Sequence, residues 1–426
     1  MKKVLIISYF FPPANFVGGD RTAAWAKYLH KFGIFPIIIT RQWNEGQTDL
    51  VNDVKANDFV HEKHEHCEIY RLPYHRSLRD KLANYPQLKI LQKAFTFLEL
   101  ILANFSINAL PYSNFYVFSK KLLTQDHSIK ALIASGRPFQ SFFIGYKLKK
   151  AFDILWIPDY RDEWSTHQNI TNKNLLQKFI SSLEKASEKR WTSSCDFFIT
   201  VSEQWEKSIK AFVNKPGHVV LNGWEPSNNL DLPKPDVHKN NKCLQIIYTG
   251  TLYPYQEIEM LIQSCKNIIE KNLYKIEVKF IGTNVIPEEN VRLKHLVQGY
   301  EKHFKIFDRM PKSEMMNHLQ DADILYLTAY TGNKGWYPVK LFEYYATKKN
   351  MLLCPSDNGV MQGFIEKTNS GFIVNSVEEC ENLLLSLCQK KEQNIPVTRP
   401  HDENMANFYS RENQTKKLAE ILSLHI

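Results

Sequence analysis

The chain has 426 residues, 43% of them hydrophobic and 23% charged, which is ample material for more than one folded core and excludes a disordered chain. A formal charge of +9 favours an anionic partner such as nucleotide phosphates, acidic lipid headgroups or nucleic acid. Seven scattered cysteines with no CxxC spacing exclude a disulfide framework and a zinc ribbon. No uninterrupted apolar run reaches the ~18 residues of a membrane span, and MKKVLIISYFF runs into Pro12 and Pro13 without a cleavage site, so a reducing, cytoplasmic setting is expected.

Short β-branched runs alternate with helical patterns along nearly the whole chain, which is the mark of βαβ units and parallel sheets. A first strand is expected over residues 4–8. It is followed by a loop containing Pro12, Pro13, Gly18 and Gly19, and then by a helix on which Trp25, Tyr28, Leu29 and Phe32 share one face. Gly33 closes that helix, and the next strand begins near residues 36–40. Further strands are expected at 131–135, 155–158, 197–201 and 219–221, all in one open sheet.

Residues 226–242, PSNNLDLPKPDVHKNNK, carry Pro, Asn and charge without an apolar period and read as a linker. A second alternation follows, with strands at 246–249, 278–281, 305–307, 324–327 and 351–354. Helices are expected at 257–271, 312–320 and 338–348, and the tail over 403–424 reads as one helix. The chain thus divides into domains at 1–225 and 243–400, joined by the linker, with a C-terminal helix in 401–426 packing back on the first. Two doubly wound, Rossmann-like α/β domains facing a central cleft are expected, with ligands at the carboxyl ends of the strands.

Several segments carry possible chemistry. Gly18 and Gly19 precede a helix start, where a bare backbone can approach an anion, or they simply shape a βα loop. Their spacing is not GxGxxG, so a dinucleotide dehydrogenase is not expected. In the segment 334–346, Pro338 suits a first helical position and leaves the amides around Tyr337 and Val339 available to a phosphate. Lys340 adds a positive charge, and Glu343 can accept hydrogen bonds from a vicinal diol. Alternatively, Glu343 pairs with Lys340 at i, i+3 on the helix surface. Asp159, Arg161 and Asp162 follow the strand at 155–158. They either form a structural Arg161–Asp salt bridge or face the cleft, with an aspartate accepting from a hydroxyl and Arg161 holding phosphate. The run His61 to Cys67 has metal-ligand residue types but reads better as a solvated loop or edge strand. From His75 to Lys121, basic residues interleave with Phe and Leu, which suits an anionic membrane surface, the alternative being the first domain's own core.

The pattern G-x-x-P-x-K-L-F-E-Y-x-A over 335–346 joins the P-P and G-G loop, the segment from Asp159 to Trp164, ITVSEQW at 199–205, Asn222-Gly223 and IIYTGTLY at 246–253. Together they resemble glycosyltransferase family 4, most closely its bacterial surface-polysaccharide members. The resemblance implies the GT-B fold, with the acceptor on the first domain and the nucleotide-sugar on the second. It also implies a retaining, metal-independent hexosyltransferase with no cofactor besides a nucleotide-sugar co-substrate, expected to be a UDP-sugar. By the same resemblance Glu343 holds the ribose hydroxyls, amides near Val339 hold the diphosphate, and Gly19 faces the donor.

The departures from the family pattern are Gly335 where the family has a glutamate, and Thr251 and Gln256 where it has two cations. Lys340, Arg309 and Arg161 are left to meet the diphosphate, and Asn284 to help at the nucleoside. The acceptor is expected to be a saccharide or lipid-linked saccharide of lipopolysaccharide, capsule or exopolysaccharide, reached by peripheral attachment at the inner face of the cytoplasmic membrane. Nucleic acid is not an expected partner. A non-catalytic nucleotide-sugar-binding scaffold and a nucleotide-sugar 2-epimerase are the alternatives.

Overall fold

The computed structural model describes residues 1–14, 16–45, 47, 57–83, 85–166, 174–225, 242–397, 399 and 401–426. The expected linker, apart from Lys242, lies outside the described residues. The chain forms two compact units: Met1–Asn222 with Arg411–Ile426, and Gly223–Ser410.

The first unit is built on an eight-stranded sheet in the order β3-β4-β2-β1-β5-β6-β7-β8. Its strands are β1 Lys2–Ser8, β2 Ile34–Arg41, β3 Val60–Lys63, β4 Glu68–Leu72, β5 Ile129–Gly136, β6 Leu155–Tyr160, β7 Phe198–Thr200 and β8 Gly217–Val219. All pairings are parallel except β3 with β4. The central strands are apolar on both faces, as a sheet covered by helices on each side requires: Val4, Leu5, Ile6 and Ile7 of β1 are all buried. β3, at the sheet's edge, realises the edge-strand alternative for the histidine run, whereas β4, short and charged in EIYRL, was not expected as a strand. β3 carries His61 to Lys63, His64 to Cys67 form the turn into β4, and no group of His, Cys, Asp or Glu among the described residues is placed to hold a metal.

The helix Asp20–Tyr28 passes into a 3₁₀ turn, Leu29–Phe32, which ends at Gly33 in the left-handed region with φ +80°. The tail departs from expectation: in place of one helix there are two, Glu403–Phe408 in the second unit and Arg411–Ser423 in the first. The break has a local cause. Tyr409 packs on Phe364, and its carbonyl accepts from the Trp224 amide at 3.0 Å. Ser410 forms a β-bridge with Trp224. Beyond the break, Leu418 and Leu422 are fully buried in the cluster containing Trp25 and Leu29, each worth about 1.5–3 kcal/mol of apolar transfer. Arg411 meets Asp20 at 3.0 Å.

One helix of this unit is not part of its core. In Lys89–Ala103 only Ala103 is buried, and Ile90 is 87% exposed. The apolar residues of this helix are therefore not the first domain's own core. Phe97 meets Phe179 of the helix Leu175–Thr192 at 6.3 Å between ring centres, and that helix begins with exposed Leu175, Leu176 and Phe179.

The second unit holds six parallel strands in the order β11-β10-β9-β12-β13-β14. They are β9 Leu244–Thr249, β10 Ile276–Ile281, β11 Phe304–Phe307, β12 Ile324–Leu327, β13 Asn350–Leu353 and β14 Gly371–Ile373. β14 was unexpected. It has three residues and opens with a glycine, whose added Cβ would collide with the Met351 carbonyl. Chain order reverses between β9 and β12, so their carboxyl ends diverge and leave a crevice at the switch point.

Candidate functional site

The loops after β9, β10 and β11 converge at that crevice. Gly250, just past β9, adopts φ +90° and Gly282, just past β10, φ +80°, conformations that a side chain would strain. A Cβ on Gly282 would sit 3.7 Å from the Gly250 Cα and 3.8 Å from the Arg309 Cα. The Asn284 side-chain oxygen accepts from the Arg309 amide at 3.2 Å. The structure thus brings Asn284 and the exposed Arg309 together on one rim.

The helix Val339–Ala346 starts on the opposite side of the switch point, past β12. Pro338 is its extended N-cap residue, one position earlier than expected, and Val339 is its first helical residue. Tyr344 fastens the helix to the end of β9, since its hydroxyl accepts from the Thr249 amide at 2.8 Å. This places the Lys340 Nζ 3.8 Å from the centre of the Tyr248 ring and 3.7 Å from where a Gly250 Cβ would stand. The ammonium is buried and has no hydrogen-bond partner among the described residues, although part of its stem reaches solvent. Burial lowers its pKa from the ordinary value to about 7, and Glu343 offsets only part of that cost. A cation buried without a hydrogen-bonded counter-charge is costly, and an entering phosphate would relieve the cost. Glu343, partly exposed, lies one turn into the helix, and Tyr337 is partly exposed just before it.

Gln256 stands where the resemblance leads one to expect a cation, and it acts as a loop brace. It is buried; its side-chain oxygen accepts from the Tyr253 amide at 2.8 Å, and its carbonyl accepts from Arg292. The Thr251 carbonyl accepts from the Tyr248 hydroxyl at 2.9 Å.

In the first unit the expected site is largely structural. Asp159 is fully buried, ion-paired with Arg21 at 3.1 Å and accepting from the Ser135 hydroxyl at 2.7 Å. It is not placed to receive an acceptor hydroxyl, and the ion pair expected of Arg161 belongs to Arg21. Arg161 donates to the carbonyls of Gly136, Arg137 and Gly18, tying three loops together, so it is not held in reserve for a phosphate. A side chain on Gly18 would strike that guanidinium, and one on Gly19 would come within 2.9 Å of the Phe11 backbone. The Gly19 amide donates to the Phe16 carbonyl at 2.9 Å and is not offered to a donor. Both glycines serve close packing. Asp162 is the accessible carboxylate of this group, 45% exposed and 3.6 Å from Arg137.

Two features escaped the sequence reading. Arg21 lay within an ordinary helical pattern, and its partners are 138 residues or more away in the chain. The rings of Tyr253, Tyr330 and Trp336 come together from two loops, and only IIYTGTLY and the segment around Trp336 hinted at them.

Residues 233–406 match the family described as Glycosyl transferases group 1. The match falls within the second unit, Gly223–Ser410. Among solved structures, the chain resembles sucrose-phosphate synthase from Thermosynechococcus elongatus at 14% identity and TM-score 0.66, covering 100% of this chain and 99% of that one. It resembles a glycosyltransferase from Rickettsia africae at 15% identity and TM-score 0.57, covering 99% and 97%. Anabaena HepE, solved in complex with UDP and glucose, is similar at 11% identity and TM-score 0.58, covering 99% and 100%. These likenesses establish a GT-B fold of two α/β units. No curated protein sequence matches.

Proposed function

We propose that the protein is a retaining glycosyltransferase that moves a sugar from a nucleotide diphosphate sugar, a UDP-sugar by preference, to a hydroxyl of a saccharide or lipid-linked saccharide in surface-polysaccharide synthesis. The observation that carries this reading is Lys340: an ammonium buried at the switch point of a glycosyltransferase group 1 domain, beneath Gly250 and without a hydrogen-bond partner among the described residues. In this reading Lys340 and the start of its helix take the leaving diphosphate, Glu343 the ribose hydroxyls, and Asn284 and Arg309 the rim beside them. The protein's task in such a transfer is to stabilise developing negative charge and to orient two substrates. That work needs no divalent metal where a buried ammonium and a helix terminus converge. Asp162 is the carboxylate proposed to meet the acceptor.

The exposed apolar helix Lys89–Ala103, with Lys89 and Lys93 at its start, supports a peripheral site of action on an anionic membrane at the inner face of the cytoplasmic membrane. No helix among the described residues is long and apolar enough to cross a bilayer.

A thermal-shift series with UDP, GDP and ADP tests the donor site, because a ligand at 100 times its dissociation constant adds about 2.7 kcal/mol of stability. Release of free nucleoside diphosphate from the matching nucleotide-sugar then tests catalysis. No shift with any of the three nucleotides would refute the reading, and binding without release would favour the scaffold.

A further inference from the structure

Asp162 is presented by a loop whose neighbouring side chains are all engaged. Before it, Arg161 is committed to the carbonyls of Gly136, Arg137 and Gly18. After it, the Glu163 carboxylate accepts from the Ser208 hydroxyl, on the helix Glu203–Val213, at 2.7 Å. Trp164 stacks between Phe139, with centres 5.0 Å apart and planes at 7°, and Trp191, at 5.2 Å and 29°. The Ser165 amide donates to the Glu188 carboxylate, on the helix Leu175–Thr192, at 3.0 Å. The backbone on both sides of Asp162 is thus held by side chains, and two of those holds are buried glutamates.

These glutamates lack charge partners. Glu163 is 2% exposed and Glu188 0%, and neither has an ion-pair partner among the described residues. One oxygen of each, Glu163 Oε2 and Glu188 Oε1, is buried without a hydrogen-bond partner among the described residues. A carboxylate in such a setting is costly, so the uncharged acid is favoured. Burial raises both carboxyls, and repulsion from Glu163 adds to the rise at Glu188. Tyr160 faces Glu188 and Cys195 faces Tyr160, and both keep their protons: burial raises Tyr160 well above its ordinary value and pushes Cys195 up to about 12. The cations of the two helices are turned elsewhere. Lys185, Lys189 and Lys207 are exposed, Arg190 donates to the Asn104 carbonyl, and Lys210 meets Glu206 at 4.0 Å. Gain or loss of a proton beneath this loop therefore falls to Glu163 and Glu188.

We propose that Glu163 and Glu188 are positioning residues for the acceptor step, holding the loop that presents Asp162 while they are uncharged and loosening it once they ionise. The inference rests on the assignment of Asp162 to the acceptor. Two like charges in one buried site repel each other and draw water in, and a reacting group misplaced by about 1 Å can lower a rate about a hundredfold. The sign follows from linkage. Opening the loop returns each glutamate to its ordinary value of about 4.3, so opening releases protons wherever the pH lies between that value and the raised one. Closure is tightest on the acid side and weakens as pH rises through the folded value.

Hydrogen exchange on the full chain tests the hold without any ligand. Protection of the Ser165 amide, corrected for the intrinsic pH dependence of exchange, should fall between about pH 4.5 and 8 in the wild type, by up to about tenfold per pH unit for each glutamate. It should stay level in the double variant Glu163→Gln with Glu188→Gln, which keeps both acceptor oxygens and cannot ionise. The second measurement is release of nucleoside diphosphate from the matching nucleotide-sugar at saturating donor, with water in place of the acceptor hydroxyl. Release should fall with the Ser165 protection in the wild type and lose that fall in the double variant, whose donor KM should equal the wild-type value at each pH. A level wild-type protection profile, or a double variant that keeps the wild-type slope in either measurement, overturns the inference. Asp162→Asn should keep the protection profile and lower release at every pH. Unaltered release in that variant would remove Asp162 from the acceptor step and with it this role for the glutamates, whereas a wild type that releases no nucleoside diphosphate at any pH would overturn the functional reading itself.

Discussion

The Lys340 ammonium lies 3.8 Å from the centre of the Tyr248 ring. The ring face supplies some of the stabilisation that water would have given, yet burial still brings the lysine down to about 7. In the unliganded protein this costs stability near neutrality. The unfolded chain keeps its proton up to the ordinary lysine range while the folded one has begun to lose it, so stability rises with pH between about 7 and 10.5. Lys340→Met should therefore be more stable than wild type at pH 7 in urea denaturation, with the gap closing towards pH 10. A gap that does not change with pH would count against a buried, shifted lysine.

Nucleotide binding reverses the argument. A diphosphate raises the lysine's pKa, so binding takes up a proton, and affinity should fall above pH 7 by up to about tenfold per pH unit. Lys340→Met should bind weakly with a flat profile. Glu343→Ala should cost about 1.5–3 kcal/mol for nucleoside and nucleoside diphosphate alike, since it removes the diol contact and not the phosphate contact. Calorimetry on both ligands across pH separates the two roles. A steep pH profile surviving in Lys340→Met would remove Lys340 from the phosphate site.

The first unit stores a second titration. Glu188 is fully buried, and its carboxyl is raised by burial, with Glu163 adding repulsion; Glu163 is itself raised by burial. A raised carboxyl favours folding below its unfolded pKa, and that advantage is lost as pH rises through the folded value. Glu188→Gln, which keeps the shape and an acceptor for the Ser165 amide, should be more stable than wild type at pH 8 and lose that margin by pH 4. Identical pH profiles of unfolding for the two proteins would refute it.

How far the sequence foretold this molecule depended on the range of the interactions. Residues 4–8 and 324–327 read as strands because a sheet buried on both faces makes an apolar run that needs no partner to be seen. The helix that carries Lys340 and Glu343 was legible for a similar reason: strand, loop, N-cap and helix are consecutive, so local grammar places it. Asp159 was misread because its character comes from Arg21 and Ser135, 138 and 24 residues away. A buried aspartate with a distant arginine looks, in one dimension, like an acid waiting for a substrate. The tail helix failed for the same reason, since Trp224 claims the Tyr409 carbonyl from across the second unit's chain.

Catalysis should proceed without a divalent metal. The switch point offers a buried ammonium and a helix start to the leaving diphosphate, and no group among the described residues is placed to hold a metal ion. Transfer rates should be unchanged by EDTA in metal-stripped buffer. Activity lost to EDTA and restored by magnesium or manganese would show that the ammonium does not suffice.

The helix Lys89–Ala103 tests the membrane assignment. An apolar side chain in water forgoes about 1.5–3 kcal/mol that burial would recover. Here Ile90, Leu91, Leu98 and Leu102 are exposed on one helix, and Leu175, Leu176 and Phe179 on the helix beside it. Lys89 and Lys93 stand exposed at the start of the first helix and Lys178 at the start of the second, each able to add ~1 kcal/mol at an anionic surface. Insertion of a few of these side chains together with the lysines gives binding that is reversible and salt-dependent. The chain should therefore sediment with vesicles containing anionic lipid at low salt, far less with neutral vesicles, and be released as salt rises. Ile90→Ser with Leu98→Ser should weaken binding at every salt concentration, whereas Lys89→Gln with Lys93→Gln should chiefly flatten the salt dependence. If all three proteins sediment alike, or none binds anionic vesicles at low salt, this face does not meet a membrane and the acceptor is one that reaches the enzyme in solution.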